Sequence, residues 1–198
     1  MKSIIVLLVA ILPLAGFAQV QKGRSFVTGQ LGFGGQDNKT AHSKTSNLNI
    51  AGTYGYVFKD NWAVGLSPGY SNLETTNEYA SYTTKGYNVS VFARRYLQVV
   101  DKLYFSVQGS VGYYGNKSTE DYILTNEYDN RSDSKGVNIS LSPGATYFVT
   151  DRFAIEAFLT GISYSRSKEN SSSGTSHNNT FALNIGITSL SFGASIFF

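Results

Sequence analysis

Apolar and polar residues alternate with a period of two along most of this chain, and this pattern constrains its fold more than any other feature. Between Asn47 and Phe58, large apolar side chains occupy one parity and small or polar side chains occupy the other. Successive side chains of a β-strand point to opposite faces, so this alternation predicts strands with one apolar face. No apolar stripe at helical spacing is sustained along the sequence. The pattern predicts an all-β protein.

Eight segments of the sequence carry the alternation. We predict strands at about Ser25–Gly35, Asn47–Phe58, Trp62–Ser71, Gly86–Leu97, Leu103–Gly115, Val137–Val149, Phe153–Ser165 and Thr180–Phe198. Within the last segment the apolar parity changes between Ile187 and Leu190. One extra residue near Thr188 and Ser189, as in a β-bulge, would account for the change.

The connections between these segments alternate between short and long. Short turns follow the second, fourth and sixth segments, and each contains one acid and one base. Long polar connections occupy residues 36–46, 72–85, 116–136 and 166–179. Short turns on one side and long loops on the other are typical of membrane barrels. We therefore predict an eight-stranded antiparallel transmembrane β-barrel with up-and-down meander order, and with both ends of the sheet on the short-turn side.

The sizes of the side chains on the two faces favour a membrane barrel over a water-soluble one. The polar face is mostly Gly, Ser, Asn, Thr and Ala, whereas the apolar face is mostly Leu, Ile, Val, Tyr and Phe. A barrel of eight strands has little interior room, so small side chains fit inside and large ones must face outward, where they need lipid. The alternative is a secreted soluble β-sandwich whose aromatic residues form its core.

The positions of aromatic and charged residues agree with a membrane barrel. Aromatic and large apolar residues flank the short turns, as in an interfacial girdle: Phe58, Trp62, Leu103, Tyr104 and Phe153. Nearly all charged residues fall in turns, in connections or at strand ends. The exceptions are Arg94, Arg95 and Glu156.

The first 18 residues have the pattern of a secretory signal peptide. Lys2 precedes an apolar run, Ile4–Leu14, and small residues lead up to Ala18. The run is shorter than the roughly 20 residues that span a bilayer, although a retained anchor is the alternative. We predict that residues 1–18 are a signal peptide and that residues 19–198 are the barrel domain. The chain has no Cys, so it can neither be stabilised by disulfides nor be anchored by a lipid on an N-terminal Cys.

Two charged residues on the small-residue face are the main candidates for a site. Parity places Arg94 on the inner face with Ser90 and Tyr96, and it places Glu156 on the inner face of another strand. Buried charges need partners, so we predict an ion pair between Arg94 and Glu156 across the lumen. A purely structural role for this pair is favoured over a gating role. Arg95 falls on the outer parity, where it could snorkel to headgroups unless a bulge turns it inward.

Other candidate chemistry is weaker. His42 and His177 lie in the first and fourth long connections, and solvated loop histidines are favoured over a catalytic role because no acid has a helpful spacing beside His177. The acids of the third connection could bind a divalent cation, but a solvated charged loop is favoured. We expect no catalytic residue, no metal and no cofactor. A net charge of +3 does not suggest a nucleic-acid partner.

Three short motifs carry a resemblance to a known family: Phe92–Tyr96 (FARRY), Val111–Tyr113 (VGY) and the final run Phe192–Phe198 (FGASIFF). With the strand pattern and the signal peptide, the chain resembles the OmpA/OmpX-like small outer-membrane β-barrels, which are often described as porin-like. The resemblance implies an outer-membrane location in a Gram-negative cell and contact with outer-membrane lipids. It also implies a lumen salt-bridge network and recognition of Phe198 by the barrel-assembly machinery. We expect no peptidoglycan-binding domain after the last strand.

Three functions are open at this stage. The first is a structural or interaction protein that displays extracellular loops to an unknown partner and has a plugged polar lumen. The alternative is a narrow porin-like channel for small solutes. An outer-membrane lipid-modifying enzyme is less favoured.

Overall fold

A computed structural model describes residues 20–38, 42–122, 130–171, 174–184 and 190–198. The described residues form β-strands joined by turns, without a helix. The strands are β1 (Ser25–Asn38), β2 (Ser43–Lys59), β3 (Trp62–Thr76), β4 (Ala80–Val100), β5 (Leu103–Tyr122), β6 (Asn130–Phe148), β7 (Phe153–Leu159), β8 (Gly161–Ser171), β9 (Gly174–Asn184) and β10 (Leu190–Phe197). None of these elements is a helix long and apolar enough to cross a membrane.

The strands close into one antiparallel barrel. Strands β1 to β6 pair in chain order, and β6 pairs with both β7 and β8. Strand β10 pairs with β7 on one side and with β1 on the other, which closes the ring. Strands β7 and β8 are two segments of one wall of the barrel, and β9 and β10 are two segments of the next wall. Counted in this way, the ten strands form eight walls in meander order. The predicted fold is confirmed.

The two ends of the barrel differ. The short turns after β2, β4 and β6 lie at the same end as Val20 and Phe198, and we call this the turn end. The opposite end, which we call the hairpin end, carries the connections that the sequence suggested were long loops. Most of their residues instead continue the strands: β3 and β4, for example, pair as far as Thr76 and Ser81. The prediction of long loops was wrong because polar residues on both faces can still pair in an antiparallel hairpin.

The wall formed by β7 and β8 contains an irregularity at Thr160 and Gly161. Glu156 and Phe158 point inward on β7, whereas the inward residues of β8 are odd-numbered, beginning with Ser163. Gly161 adopts a φ of +67° and approaches the Leu141 carbonyl. The last wall also changes parity, from inward Ala182 to inward Ser191. The predicted bulge at Thr188 and Ser189 lies outside the described residues.

The outer face of the barrel is apolar, as predicted. Side chains such as Val89 (53 % exposed) and Ile139 (54 % exposed) point away from the lumen and are covered only by their neighbours on the surface. The inner face is not uniformly small, however. At the turn end it carries large aromatic residues, including Phe26, Phe92 and Tyr104. Tyr104 is therefore buried inside the barrel rather than part of an outer girdle, which corrects its predicted position.

Candidate functional site

The barrel lumen contains a buried ion pair between two walls that are not neighbours. Arg94 lies on β4 and Glu156 lies on β7, and Arg94 Nη1 is 3.0 Å from Glu156 Oε1. Their side chains are 1 % and 0 % exposed, respectively. The contact therefore crosses the interior, which only a narrow barrel allows.

The Arg94 guanidinium is surrounded by acceptors and aromatic faces. Its Nε donates to Gln108 Oε1 at 2.9 Å, and its Nη1 donates to the Tyr96 hydroxyl at 2.9 Å. Four rings lie 4.6–5.5 Å from its central carbon, within the range of cation–π attraction. The rings belong to Phe26, Phe92, Tyr96 and Phe158. These contacts replace water around a charge that would otherwise be costly to bury.

Glu156 has a smaller set of partners. Thr28 donates to Oε2 at 3.4 Å and Thr146 donates to Oε1 at 3.5 Å, both long for hydroxyl donors. Thr28 also shares a 2.6 Å hydrogen bond with Ser195, which fixes its hydroxyl beside the carboxylate. The carboxylate thus depends mainly on Arg94 for its stabilisation.

An aromatic layer closes the lumen between the ion pair and the turn end. Ring contacts run from Phe26 to Phe197 (4.9 Å), from Phe197 to Phe148 (4.9 Å) and from Phe148 to Tyr104 (5.6 Å). Val20 is fully buried against this layer, and its carbonyl accepts a hydrogen bond from the Asn61 N–H at 3.0 Å. We call the ion pair and this aromatic layer together the plug.

Glycines on the inner face make room for the plug. A Cβ at Gly55 would collide with the Phe26 ring, one at Gly65 with Phe92, and one at Gly144 with Phe158. Small residues therefore do create lumen volume, as the sequence indicated, but at the turn end aromatic rings fill that volume.

Above the plug, toward the hairpin end, the lumen is lined by asparagine side chains that lie over glycines of the neighbouring strand. The pairs are Gly32–Asn49, Gly34–Asn47, Gly69–Asn88, Gly86–Asn116 and Gly112–Asn138. We call these the amide ring. Because amides are polar but uncharged, this part of the lumen attracts neither cations nor anions strongly.

The remaining predicted residues lie apart from the plug. Arg95 stays on the outer face, with its guanidinium 5.0 Å from the centre of the Trp62 ring. Phe198 points outward at the turn end, and its backbone exchanges hydrogen bonds with Ser25 at 2.8 and 2.9 Å. Arg24 lies nearby, where partial burial lowers the pKa of its guanidinium and the charge of Asp151 opposes that shift.

The two histidines are not brought together. His42 follows the first hairpin tip and forms an exposed ion-pair contact with Glu78, whereas His177 lies on β9 opposite Lys168. No three His, Asp or Glu side chains within the described ranges are grouped as metal ligands. The centre of the acidic third connection, residues 123–129, lies outside those ranges.

Sequence reasoning missed most partners of the ion pair. Tyr96 was placed on the inner face, but Gln108, Thr28 and Thr146 were not connected with the site. The sequence did contain a signal for the site. On several strands, the aromatic residues that share a face with the small residues are grouped at one end. Phe92 and Tyr96 flank Arg94 in this way on β4.

Comparisons with known proteins agree with this architecture. A family model described as "Outer membrane protein beta-barrel domain" matches residues 4–189. The chain is similar to the structure of a major outer membrane protein from Thermus thermophilus, with 11 % identity and a TM-score of 0.50, over 89 % of this chain and 99 % of that one. No curated protein matches it.

Two further solved structures are similar over most of their length. The N-terminal β-barrel domain of Pseudomonas aeruginosa OprF has 14 % identity and a TM-score of 0.47, with 89 % of this chain and 98 % of that one covered. Ail, the attachment invasion locus protein of Yersinia pestis, has 16 % identity and a TM-score of 0.44, with 90 % and 100 % covered.

Proposed function

This chain belongs to the family of outer membrane protein β-barrel domains, and on that basis we propose that it is a structural and interaction protein that displays its hairpin end to the exterior and conducts no solutes. It is an integral protein of the outer membrane, and its apolar face contacts lipid. Its hairpins are proposed to meet a partner molecule outside the cell.

The plug is the observation that supports this proposal. Arg94, Glu156 and the aromatic layer are buried across the whole lumen at the turn end. A solute would have to displace a buried ion pair and several packed rings, and each of these steps is costly. A narrow porin-like channel is the alternative, since the amide ring above the plug is polar enough to hold water.

Conductance in a planar bilayer separates the two functions. We expect the folded wild-type protein to insert without discrete current steps at voltages where a porin from the same preparation method conducts. The double variant Arg94→Ala/Glu156→Ala thins the plug and is expected to raise leak, whereas Arg95→Ala, adjacent but outside the barrel, is expected to have no effect. Stepwise openings of the wild-type protein would favour the channel.

We further propose that the protein is not an enzyme. His42 and Glu78 form an exposed pair at the hairpin end, far from the plug. The two histidines are the candidates for a lipid-modifying activity, and we expect His42→Ala and His177→Ala to leave the lipid composition of the membrane unchanged by mass spectrometry. Loss of a modified lipid species in either variant would establish an enzymatic role.

Export and assembly are part of the same proposal. Residues 1–18 are proposed to act as a removable signal peptide and residues 19–198 to form the mature barrel, which N-terminal sequencing of the membrane form tests. Phe198 is proposed to be read by the barrel-assembly machinery, and its outward, 62 % exposed ring supports this. We expect Phe198→Ala to slow machinery-assisted insertion while leaving spontaneous folding in detergent unchanged.

A further inference from the structure

Five outward-pointing cations lie together on one side of the barrel near the hairpin end. They are Lys85 on β4, Lys117 on β5, Lys135 on β6, and Arg166 and Lys168 on β8. All five side chains are exposed. We call them the basic patch.

The strand register brings like charges of the patch directly opposite each other. Lys85 is paired with Lys117 across β4 and β5, and Lys135 is paired with Lys168 across β6 and β8. Directly opposed like charges destabilise a sheet. Within the described part of the chain, none of the five cations forms an ion pair, although Asp133 is opposite Lys117 in the register. Asp133 is the one described acid directly opposite a residue of the patch, so further anions are needed to offset the repulsion.

The height of the patch along the barrel points to the source of those anions. On β6 the outward residues from Tyr147 up to Val137 are apolar or aromatic in character, and Lys135 is the next outward residue. On β4, Lys85 is the next outward-pointing residue after Tyr87 in the direction of the hairpin end. Ten residues of tilted strand span about the 25 Å of a membrane barrel's apolar band. The basic patch therefore lies level with the lipid headgroups.

The opposite side of the barrel has the reverse charge at the hairpin end. Asp37, Glu74 and Glu78 are found there with Lys44. The rim thus has one side with more cations than acids, where Asp121 and Asp133 accompany the patch and Arg131, and one acidic side around β1 to β3.

We propose that the basic patch binds the phosphate groups of an anionic, phosphate-bearing lipid in the outer leaflet. Lys and Arg are the side chains that hold phosphate, and clusters of them beside a membrane-spanning segment bind anionic headgroups. The bound phosphates would lie between the opposed cations and remove their repulsion. This inference rests on the proposed orientation, with the hairpin end outside, and does not depend on whether the lumen conducts.

Lipid binding by the folded full-length barrel in neutral nanodiscs tests the proposal. The probe is a bis-phosphorylated glucosamine lipid, compared with the same lipid after enzymatic removal of its phosphates. Lys117→Gln/Lys135→Gln/Lys168→Gln removes three cations of the patch. Lys44→Gln/Lys59→Gln/Lys102→Gln removes three lysines elsewhere and is the matched control. Heat-dependent gel mobility checks that both variants fold.

We expect the wild type and the control to bind the phosphorylated lipid equally and the patch variant to bind it on the order of 100-fold more weakly at low salt, about fivefold for each cation. Binding should weaken as salt is raised. Should the triple variant not fold, the single variant Lys117→Gln is expected to show the fivefold loss alone.

Several outcomes would overturn the proposal. Equal binding of the dephosphorylated lipid, or equal losses in both triple variants, would show that the patch does not recognise phosphate. Displacement of the lipid by inorganic phosphate beyond the effect of matched chloride would make the ligand a free anion. A dimer that depends on the patch, without any dependence on the lipid phosphates, would make the acidic side of a second copy the partner.

Discussion

Arg94 and Glu156 depend on each other unequally. Without Glu156, the guanidinium would still have Gln108, the Tyr96 hydroxyl and the four surrounding rings. Without Arg94, the carboxylate would have only the long hydrogen bonds from Thr28 and Thr146. The cost of stranding a buried charge is therefore larger for the carboxylate.

A double-mutant cycle measures this dependence. We expect Arg94→Ala to lower the free energy of unfolding by about 3–5 kcal/mol, and Glu156→Ala to lower it by less, because cation–π contacts still hold the arginine. The double variant should be no worse than Arg94→Ala, since neither charge is then stranded. Urea unfolding in vesicles provides the values. Strictly additive losses would show that the two residues do not interact energetically.

Parity was enough to place both charges inside the barrel, because the period of a strand is two and each charge shares its face with small residues. It could not identify Gln108 or Thr28 as partners, because the depth at which residues of distant strands meet depends on strand tilt and register. Tyr104 was misplaced for a related reason: a position beside a turn is compatible with either face.

Gly161 interrupts the wall between β7 and β8. Its φ of +67° is in the left-handed region, and any Cβ there would meet the Leu141 carbonyl. We expect Gly161→Ala to cost at least about 1–2 kcal/mol of unfolding free energy. Gly109→Ala is the control, because nothing lies within 4 Å of the position of its Cβ, and it should be neutral or slightly stabilising. Equal effects at both positions would contradict the strained backbone at Gly161.

Strand β4 allows the lipid face to be tested within one element. Val91 is 55 % exposed, opposes Leu66 and Val111, and lies near the middle of the apolar band. Val91→Arg is expected to lower stability in bilayers by about 2–4 kcal/mol. Thr83→Arg, which shares the strand and the face but lies above the band, should change it by less than about 1 kcal/mol. Similar losses at both positions would mean that the band is misplaced.

The number of barrel walls could be predicted from the sequence, but the lengths of the strands could not. Apolar alternation marks only the part of a strand that faces lipid, so it located the lower portion of β5 and missed its continuation to Tyr122. Above the band, Ser, Thr and Asn occupy both faces, and the pairing of Thr84 with Ser118 leaves no hydrophobic signal. The alternation therefore predicts loops where the structure has hairpins.

The whole molecule should show the behaviour of a closed barrel. Every wall pairs with two others in the ring, and β1 closes against β10 from Phe26 to Leu31, although among the described residues β9 pairs only with β8. We expect the folded protein to keep its structure in SDS at room temperature and to change gel mobility only after boiling. Identical mobility before and after boiling, in a sample whose circular dichroism shows β-sheet, would contradict closure.

The pairing of β1 with β10 also has a kinetic consequence. Phe26 is opposite Phe197, so the first and last strands must meet before the ring is complete. Contacts between residues so distant in sequence cost the most chain entropy and form slowly. The stack of Phe26 on Phe197 belongs to both the closing seam and the plug. We therefore expect the interior to dry only in the final step of folding, with Arg94 hydrated until then.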